Sequence, residues 1–284
     1  EGTLWAAQTG ELLKLESAAL RRIPHRRGGW QDQGVQRLAR SQEGGIWAMS
    51  AKGLSKLRQS EWSQPLNVPM EIHGTASVHE DRNGGVWVGT WSQGLLWRRA
   101  GESFQSVNLT HSPSPEAMRA IFEDLEGNLW IGSYGTGLYR YDQAGLFQFP
   151  KPEGKRSWIV STLMQDRAGA IWAGGEEGLW RVEGRTIQSL PRPNSLAQLD
   201  VRSMAEDGFG NLYVGLNGEG LLRYQSGTWT RWTKRYGLSD DRVWSLYVDV
   251  ENTVWIGTFG NGLNRLRDGK LFSFSAPQLR LPGI

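Results

Sequence analysis

The chain has 284 residues, with 32 Lys and Arg against 29 Asp and Glu for a formal net charge of +3. It has no Cys, which excludes disulfides, thiolate chemistry and Cys-ligated zinc or iron–sulfur sites, and no apolar run of about 18 residues that would read as a membrane-spanning helix. The basic residues are scattered, with RRIPHRR at 21–27 the only dense cluster; without a basic stripe joined to a reading module, nucleic acid is not an expected partner.

In chain order, the first element is EGTLW at 1–5, which matches EGNLW at 126–130 and so reads as a turn and a second strand. The same phrase returns at Trp47, Trp87, Trp130, Trp172, Tyr213 and Trp255. These aromatics follow one another at a step of about 42 residues, the mark of a repeat array or propeller. The unit around Trp130 shows the pattern: MRAIFED, a turn LEGN, then LWIGS, a glycine turn YGTG, LYRYD and LFQFP. Short apolar runs rich in β-branched and aromatic residues, divided by Gly, Asn, Asp and Pro, predict successive antiparallel strands. No long 3.6-residue apolar period predicts a helix. Four strands per unit and seven anchors (Trp5, Trp47, Trp87, Trp130, Trp172, Tyr213, Trp255) predict an all-β fold, a seven-bladed β-propeller of four-stranded antiparallel blades. LFSFS at 271–275 reads as the fourth strand of the last unit. The first blade then lacks its innermost strand. Residues 1–284 are expected to be a single propeller domain excised from a longer protein, with the missing strand before residue 1 or after residue 284.

Asp81, Asp124, Asp166, Asp207 and Asp249 each precede their anchor by the same interval, while Ser41 takes that place in the second unit. Calcium would need six to eight gathered oxygens. One Asp per hairpin cannot supply them, so these residues read as acceptors for the N–H groups of their own glycine turns. The anchors and the small residues beside them (Ala6, Ala48, Gly89, Gly132, Ala173, Gly215, Gly257) read as packing between blades. His25, His73, His79 and His111 have no metal-ligand spacing. No nucleophile elbow or phosphate loop is present. Catalytic residues, metal sites and cofactors are therefore expected to be none.

Residues that vary within the repeat carry the functional expectation, since binding groups sit on loops held by a rigid frame. Between the second and third strands come Trp91, Tyr134, Glu176, Glu177, Asn217, Glu219, Phe259 and Asn261. Entering the innermost strands, at one fixed offset before each anchor, come Gln36, Ala76, Arg119, Ser161, Arg202 and Trp244. Both sets are expected on one rim. Its ligand-binding candidates are Trp91, Tyr134, Phe259, Arg119, Arg202, Trp244, Glu177, Asn217 and Asn261.

The phrase D-x-x-G-x-[LIV]-W-[IV]-G-[TS]-x-x-x-G-L-x-R, at Asp124–Arg140 and Asp249–Arg265, resembles the two-component regulator propeller repeat. The resemblance covers essentially the whole chain and is weaker in the first two units. It implies the extracytoplasmic, periplasmic or extracellular sensor region of a bacterial membrane receptor of the histidine kinase or diguanylate cyclase type. The propeller is non-catalytic in that reading, and the enzyme is an output domain of the parent. The implied partners are a small-molecule or oligosaccharide ligand; a second propeller and a β-sandwich in the same chain, and a homodimer, are compatible with it. Two other classes stand beside this one: a propeller enzyme acting on a polysaccharide or lactone, and a structural protein-docking disc.

Overall fold

The computed structural model describes residues 5–8, 11–16, 19–23, 35–50, 53–58, 61–69, 75–109, 117–196, 199–259 and 262–274. The strands of each sheet form an antiparallel meander in chain order, apart from one added pairing in blade 4. Sheet 1 holds Trp5–Gln8, Glu11–Glu16 and Ala19–Arg22. Blade 2 holds Val35–Arg40, Ile46–Ser50, Gly53–Arg58 and Glu61–Trp62; blade 3 holds Thr75–Glu80, Val86–Thr90, Leu95–Arg98 and Gln105–Val107. Blade 4 holds Met118–Glu123, Leu129–Gly135, Leu138–Asp142 and Gly145–Gln148, and its second strand also pairs with Trp158–Ile159. Blade 5 holds Thr162–Gln165, Ile171–Gly175, Gly178–Glu183 and Thr186–Ser189. Blade 6 holds Val201–Glu206, Leu212–Leu216, Leu221–Gln225 and Thr228–Trp232, and blade 7 Val243–Val248, Val254–Thr258, Gly262–Arg267 and Lys270–Phe274. The fold class is thus all-β, built of four-stranded antiparallel propeller blades.

The blade count corrects the expectation of seven. Six sheets have the four-stranded meander, and sheet 1 has three strands among the described residues. The reason is that an anchor marks a second strand and not a whole blade: among the described residues Trp5–Gln8 pairs with Glu11–Glu16 alone. The positions 24–27 of the basic cluster and Asn261 lie outside the described residues.

Two compact units make up the chain: Thr3–Tyr134 with Tyr139–Phe147, and Gly135–Leu138 with Gln148–Ile284. In each, apolar clusters fill the space between neighbouring sheets. In the first unit Trp47, Met49 and Leu54 of blade 2 meet Val86, Val88 and Leu96 of blade 3, and Trp87 and Leu95 meet Met118, Leu129, Ile131 and Tyr139 of blade 4. In the second, Trp172 and Leu179 meet Val201, Leu212 and Val214, and Tyr213 and Leu221 meet Val243, Val254 and Ile256. Second strands are buried along their whole length in blades 2, 3, 5 and 6, which explains their continuous apolar runs.

In blades 3, 5 and 6 the small position lies two residues past the anchor, so Gly174, and not Ala173, is the counterpart of Gly89 and Gly215, while blade 2 has Met49 there. A Cβ on Gly89 would stand 2.3 Å from the Met118 carbonyl oxygen and 2.3 Å from Ser77 Oγ, and one on Gly174 would stand 2.5 Å from Val201 Cγ1. Glycine here lets the next blade's inner strand lie directly on the second strand.

Candidate functional site

The repeated aspartates are structural, as their spacing predicts, and they also cap the anchors. One oxygen of each takes the N–H four residues on: Asp81 from Gly85 (2.8 Å), Asp124 from Asn128 (2.7 Å), Asp166 from Ala170 (2.8 Å), Asp207 from Asn211 (2.9 Å) and Asp249 from Thr253 (2.9 Å). The other oxygen accepts from the anchor, at 2.7 Å from Trp87 Nε1, 2.7 Å from Trp130, 2.8 Å from Trp172, 2.9 Å from Trp255 and 3.2 Å from the Tyr213 hydroxyl. Burying an indole requires a partner for its N–H. In blade 2, where Ser41 stands for Asp, Trp47 Nε1 instead donates 2.7 Å to Glu80 of blade 3. Among the described residues no group of three or more His, Asp or Glu is placed to hold a metal ion.

The opposite ends of the inner strands show what the fixed offset marks. Register shifts fall between Val35 and Arg37, Thr75 and Ser77, Met118 and Ala120, Val201 and Ser203, and Val243 and Ser245. The residues between them are Gln36, Ala76, Arg119, Arg202 and Trp244, so each is the extra residue of a β-bulge. A bulge leaves the ladder and re-aims a side chain. Nothing in a lone strand sequence signals it; the repeat does, by letting this one position vary.

In the first unit the structure joins three of the predicted residues. The Arg119 guanidinium lies 4.7 Å from the centroid of the Trp91 ring and 4.8 Å from that of Tyr134. Both rings are exposed, at 39% and 47%. Their backbones are fixed: Tyr134 N–H donates 2.8 Å to the Ala117 carbonyl, and the turn bearing Trp91 is closed by Thr90, whose hydroxyl donates 2.9 Å to the Gly94 carbonyl and accepts 2.8 Å from Gln93 N–H. Arg37, a residue the sequence does not single out, feels the charge of Arg119. Its pKa is lowered, by burial first and by the Arg119 charge second.

In the second unit the predicted residues form two local sets. Arg202 is paired with Asp200 at 2.8 Å and lies 3.6 Å from Glu176, and Asn217 Nδ2 donates 2.9 Å to the same Asp200 oxygen. Exposed Trp244 and Phe259 are neighbours, with centroids 5.1 Å apart, and Arg242 lies 4.4 Å from the Phe259 ring while donating 3.0 Å to both oxygens of Asp240. Those hydrogen bonds hold Asp240 down to about 2. Glu177 stands apart, paired with Lys155 at 2.8 Å, and Glu219 is bonded to Arg231.

A cavity of about 310 Å³ lies between blades 5 and 6, lined by Asp166, Trp172, Arg181, Glu206, Leu212 and Tyr224. It opens on the capping aspartates and not on the bulges. His79, the one histidine among the described residues, also sits at that end of its strand; burial lowers its pKa, opposed by Glu123 at 3.5 Å.

These features define an all-β protein of repeated propeller blades. The family model described as the two component regulator propeller matches residues 237–260, the stretch that holds Trp244, Trp255 and Phe259, and the resemblance read from the repeat holds. No curated protein matches the chain in sequence. Among solved structures, the extracellular domain of what is described as a hybrid two component system from B. thetaiotaomicron is 18% identical with a TM-score of 0.77, over 91% of this chain and 36% of that one. A streptogramin B lyase is 16% identical with a TM-score of 0.74, over 90% of this chain and 87% of that one. Virginiamycin B lyase from Staphylococcus aureus is 17% identical with a TM-score of 0.69, over 86% and 85%. At these identities the likeness is one of fold. This chain spans 36% of the length of the first.

Proposed function

We propose that this chain is a non-catalytic, ligand-sensing propeller from the periplasmic or extracellular part of a bacterial signal-transduction receptor. The observation that carries the reading is the Trp91–Arg119–Tyr134 group. Two exposed aromatic rings and a cation, presented from a turn, the end of a strand and a bulge, are the convergent apolar and polar groups a small-ligand site requires. The match to the regulator propeller and the fold likeness to an extracellular receptor domain support the setting. A kinase or cyclase output domain would then lie in the remainder of the parent protein, and a rigid blade frame would pass on the bound state as a whole-body displacement.

The fold likeness to lyases favours an enzyme as the second reading. Against it, the described histidine lies at the end of its inner strand opposite the bulge, and the Glu177, Asp200 and Asp240 carboxylates are each taken up by an ion pair. A melting screen against oligosaccharides and small metabolites, with turnover followed for each hit, separates the two. A ligand present at a hundredfold its Kd adds about 2.7 kcal/mol of stability if it binds only the folded state. Sensing predicts such a shift, lost in Trp91→Ala, without consumption of the ligand. Turnover would favour the enzyme, and no shift from any compound would leave a docking disc.

A further inference from the structure

In three places a glutamate that ends an inner strand accepts the backbone N–H following the aspartate position of the blade before it, and in two of them its other oxygen meets a cation from that same blade. At Glu123 the cation is Arg82, whose Nε donates 2.6 Å to Oε1 while its backbone N–H occupies Oε2. At Glu80 it is Lys56, 3.6 Å from Oε1, with the Gln42 N–H on Oε2. At Glu206 the Arg167 N–H occupies Oε2 in the same way, but both counterpart cations are engaged elsewhere. Arg167, in the place of Arg82, sends its guanidinium 2.9 Å to the Gly208 carbonyl. Arg181 lies opposite Trp172 as Lys56 lies opposite Trp47. It is paired with Glu183 at 2.8 Å, stands 3.8 Å from Asp166 and lies over the Trp172 ring. Among the described residues, no group donates a hydrogen bond to Glu206 Oε1.

The cavity of about 310 Å³ between blades 5 and 6 lies beside that carboxylate. Strand register sets its two walls: Trp172, Arg181 and Gln188 lie side by side across blade 5, and Glu206, Leu212 and Tyr224 across blade 6. Next to them Tyr224 packs on Trp229 at 4.8 Å, and Trp229 Nε1 donates 3.1 Å to the Pro191 carbonyl, which ties the two blades together. The lining carries two carboxylates, Asp166 and Glu206, against one cation, Arg181. We infer that this cavity binds a small organic cation, an aliphatic ammonium or guanidinium compound, whose N–H groups donate to Glu206 Oε1 and whose carbon skeleton lies between Trp172, Leu212 and Tyr224. Hydrogen bonds from a cation to an ionised carboxylate are roughly twice as strong as neutral ones, and aromatic and aliphatic walls suit the skeleton. The raised pKa of Glu206 agrees: burial raises it first, Asp166 and Asp207 add to that, and Arg167 opposes. A bound cation would supply the countercharge that Lys56 gives Glu80 and Arg82 gives Glu123. These residues are not those of the Trp91–Arg119–Tyr134 group, so the cation would be a second ligand.

The test is nuclear magnetic resonance of the whole chain, isotope-labelled at the glutamate carboxyl carbon and titrated with n-butylammonium chloride and methylguanidinium chloride. Sodium chloride at matched ionic strength and n-butanol serve as the inorganic and neutral comparisons. Glu206 is assigned by sequential connectivity and confirmed as the resonance missing in Glu206→Gln. The expected result is a saturable shift at Glu206 with at least one of the organic cations, absent with sodium chloride and n-butanol. By calorimetry the Kd is expected to be at least tenfold weaker in Glu206→Gln and within twofold of the parent in Glu251→Gln, a carboxylate outside the cavity. Which cation acts distinguishes ammonium from guanidinium. A Glu206 resonance that moves equally with sodium, or with neither organic cation, would overturn the inference, as would a Kd unchanged in Glu206→Gln. Trp91→Ala is expected to bind the cation as the parent does; a tenfold loss there would place the cation elsewhere and overturn it too.

Discussion

Asp124 shows how a single carboxylate ends a buried tryptophan strand. Burial pushes its pKa up, but hydrogen bonds from Trp130, Asn128 and the turn backbone outweigh that and leave it below its ordinary value of 3.8. A depressed carboxylate contributes stability that is present above the unfolded value and is lost as pH falls through the folded one. Asp124→Asn removes a charged acceptor from a buried indole and is expected to cost about 2–3 kcal/mol at neutral pH, with much of that difference gone at acid pH; denaturant melts of both proteins across the acid range check it. Glu206 has the opposite sign. Burial raises it above 4.5, with the Arg167 backbone N–H opposing. Its contribution is therefore present below that value and lost as pH rises through the folded pKa. Glu206→Gln keeps an acceptor for the Arg167 N–H and removes a half-buried charge, so at pH 7 it is expected to be neutral or stabilising by up to about 1 kcal/mol. A clear loss of stability at pH 7 would contradict this.

Between neighbouring strands, one recurring clasp complements the apolar clusters. The backbone N–H that follows the aspartate position is accepted by the carboxylate ending the next blade's inner strand: Gln42 by Glu80, Arg82 by Glu123 and Arg167 by Glu206, at 3.1, 2.8 and 2.8 Å. Asn252 does the same for Gly208 at 2.6 Å. Glu80 carries the largest share, because it also caps Trp47 in the blade that lacks the aspartate. Glu80→Ala is expected to cost about 2–4 kcal/mol, more than the same change at Glu206, since it leaves a buried indole N–H unpaired; equal losses in thermal melts would argue against that role. Gly215→Ala would place a Cβ 2.4 Å from Ser203 Oγ and 2.5 Å from Val243 Cγ1, with an expected cost of about 1–3 kcal/mol from overpacking. The turn aspartates were legible in the sequence because both partners lie within one hairpin. The Glu clasps were not, since their partners are about 40 residues away and become neighbours only once blades stack.

Across the whole chain, the repeat made the all-β class and the meander of each sheet readable, because alternation, glycine turns and period agree with one another. It overstated the blade count, since seven anchors accompany six sheets with a four-stranded meander among the described residues. The candidate site was legible in part. Five of the six varying inner-strand positions coincide with bulges, and one of them, Arg119, meets Trp91 and Tyr134; but Arg202 and Glu177 are taken up by ion pairs that no spacing revealed. The central claim is that Arg119 and its two rings bind a ligand while the Arg202 pair serves the frame. Its most direct measurement is the Kd of a hit from the melting screen for the parent chain, Trp91→Ala, Arg119→Lys and Arg202→Lys. The predicted result is a loss of at least tenfold, about 1.4 kcal/mol, in the first two variants and less than twofold in the third. A Kd unchanged by Trp91→Ala and Arg119→Lys would contradict it.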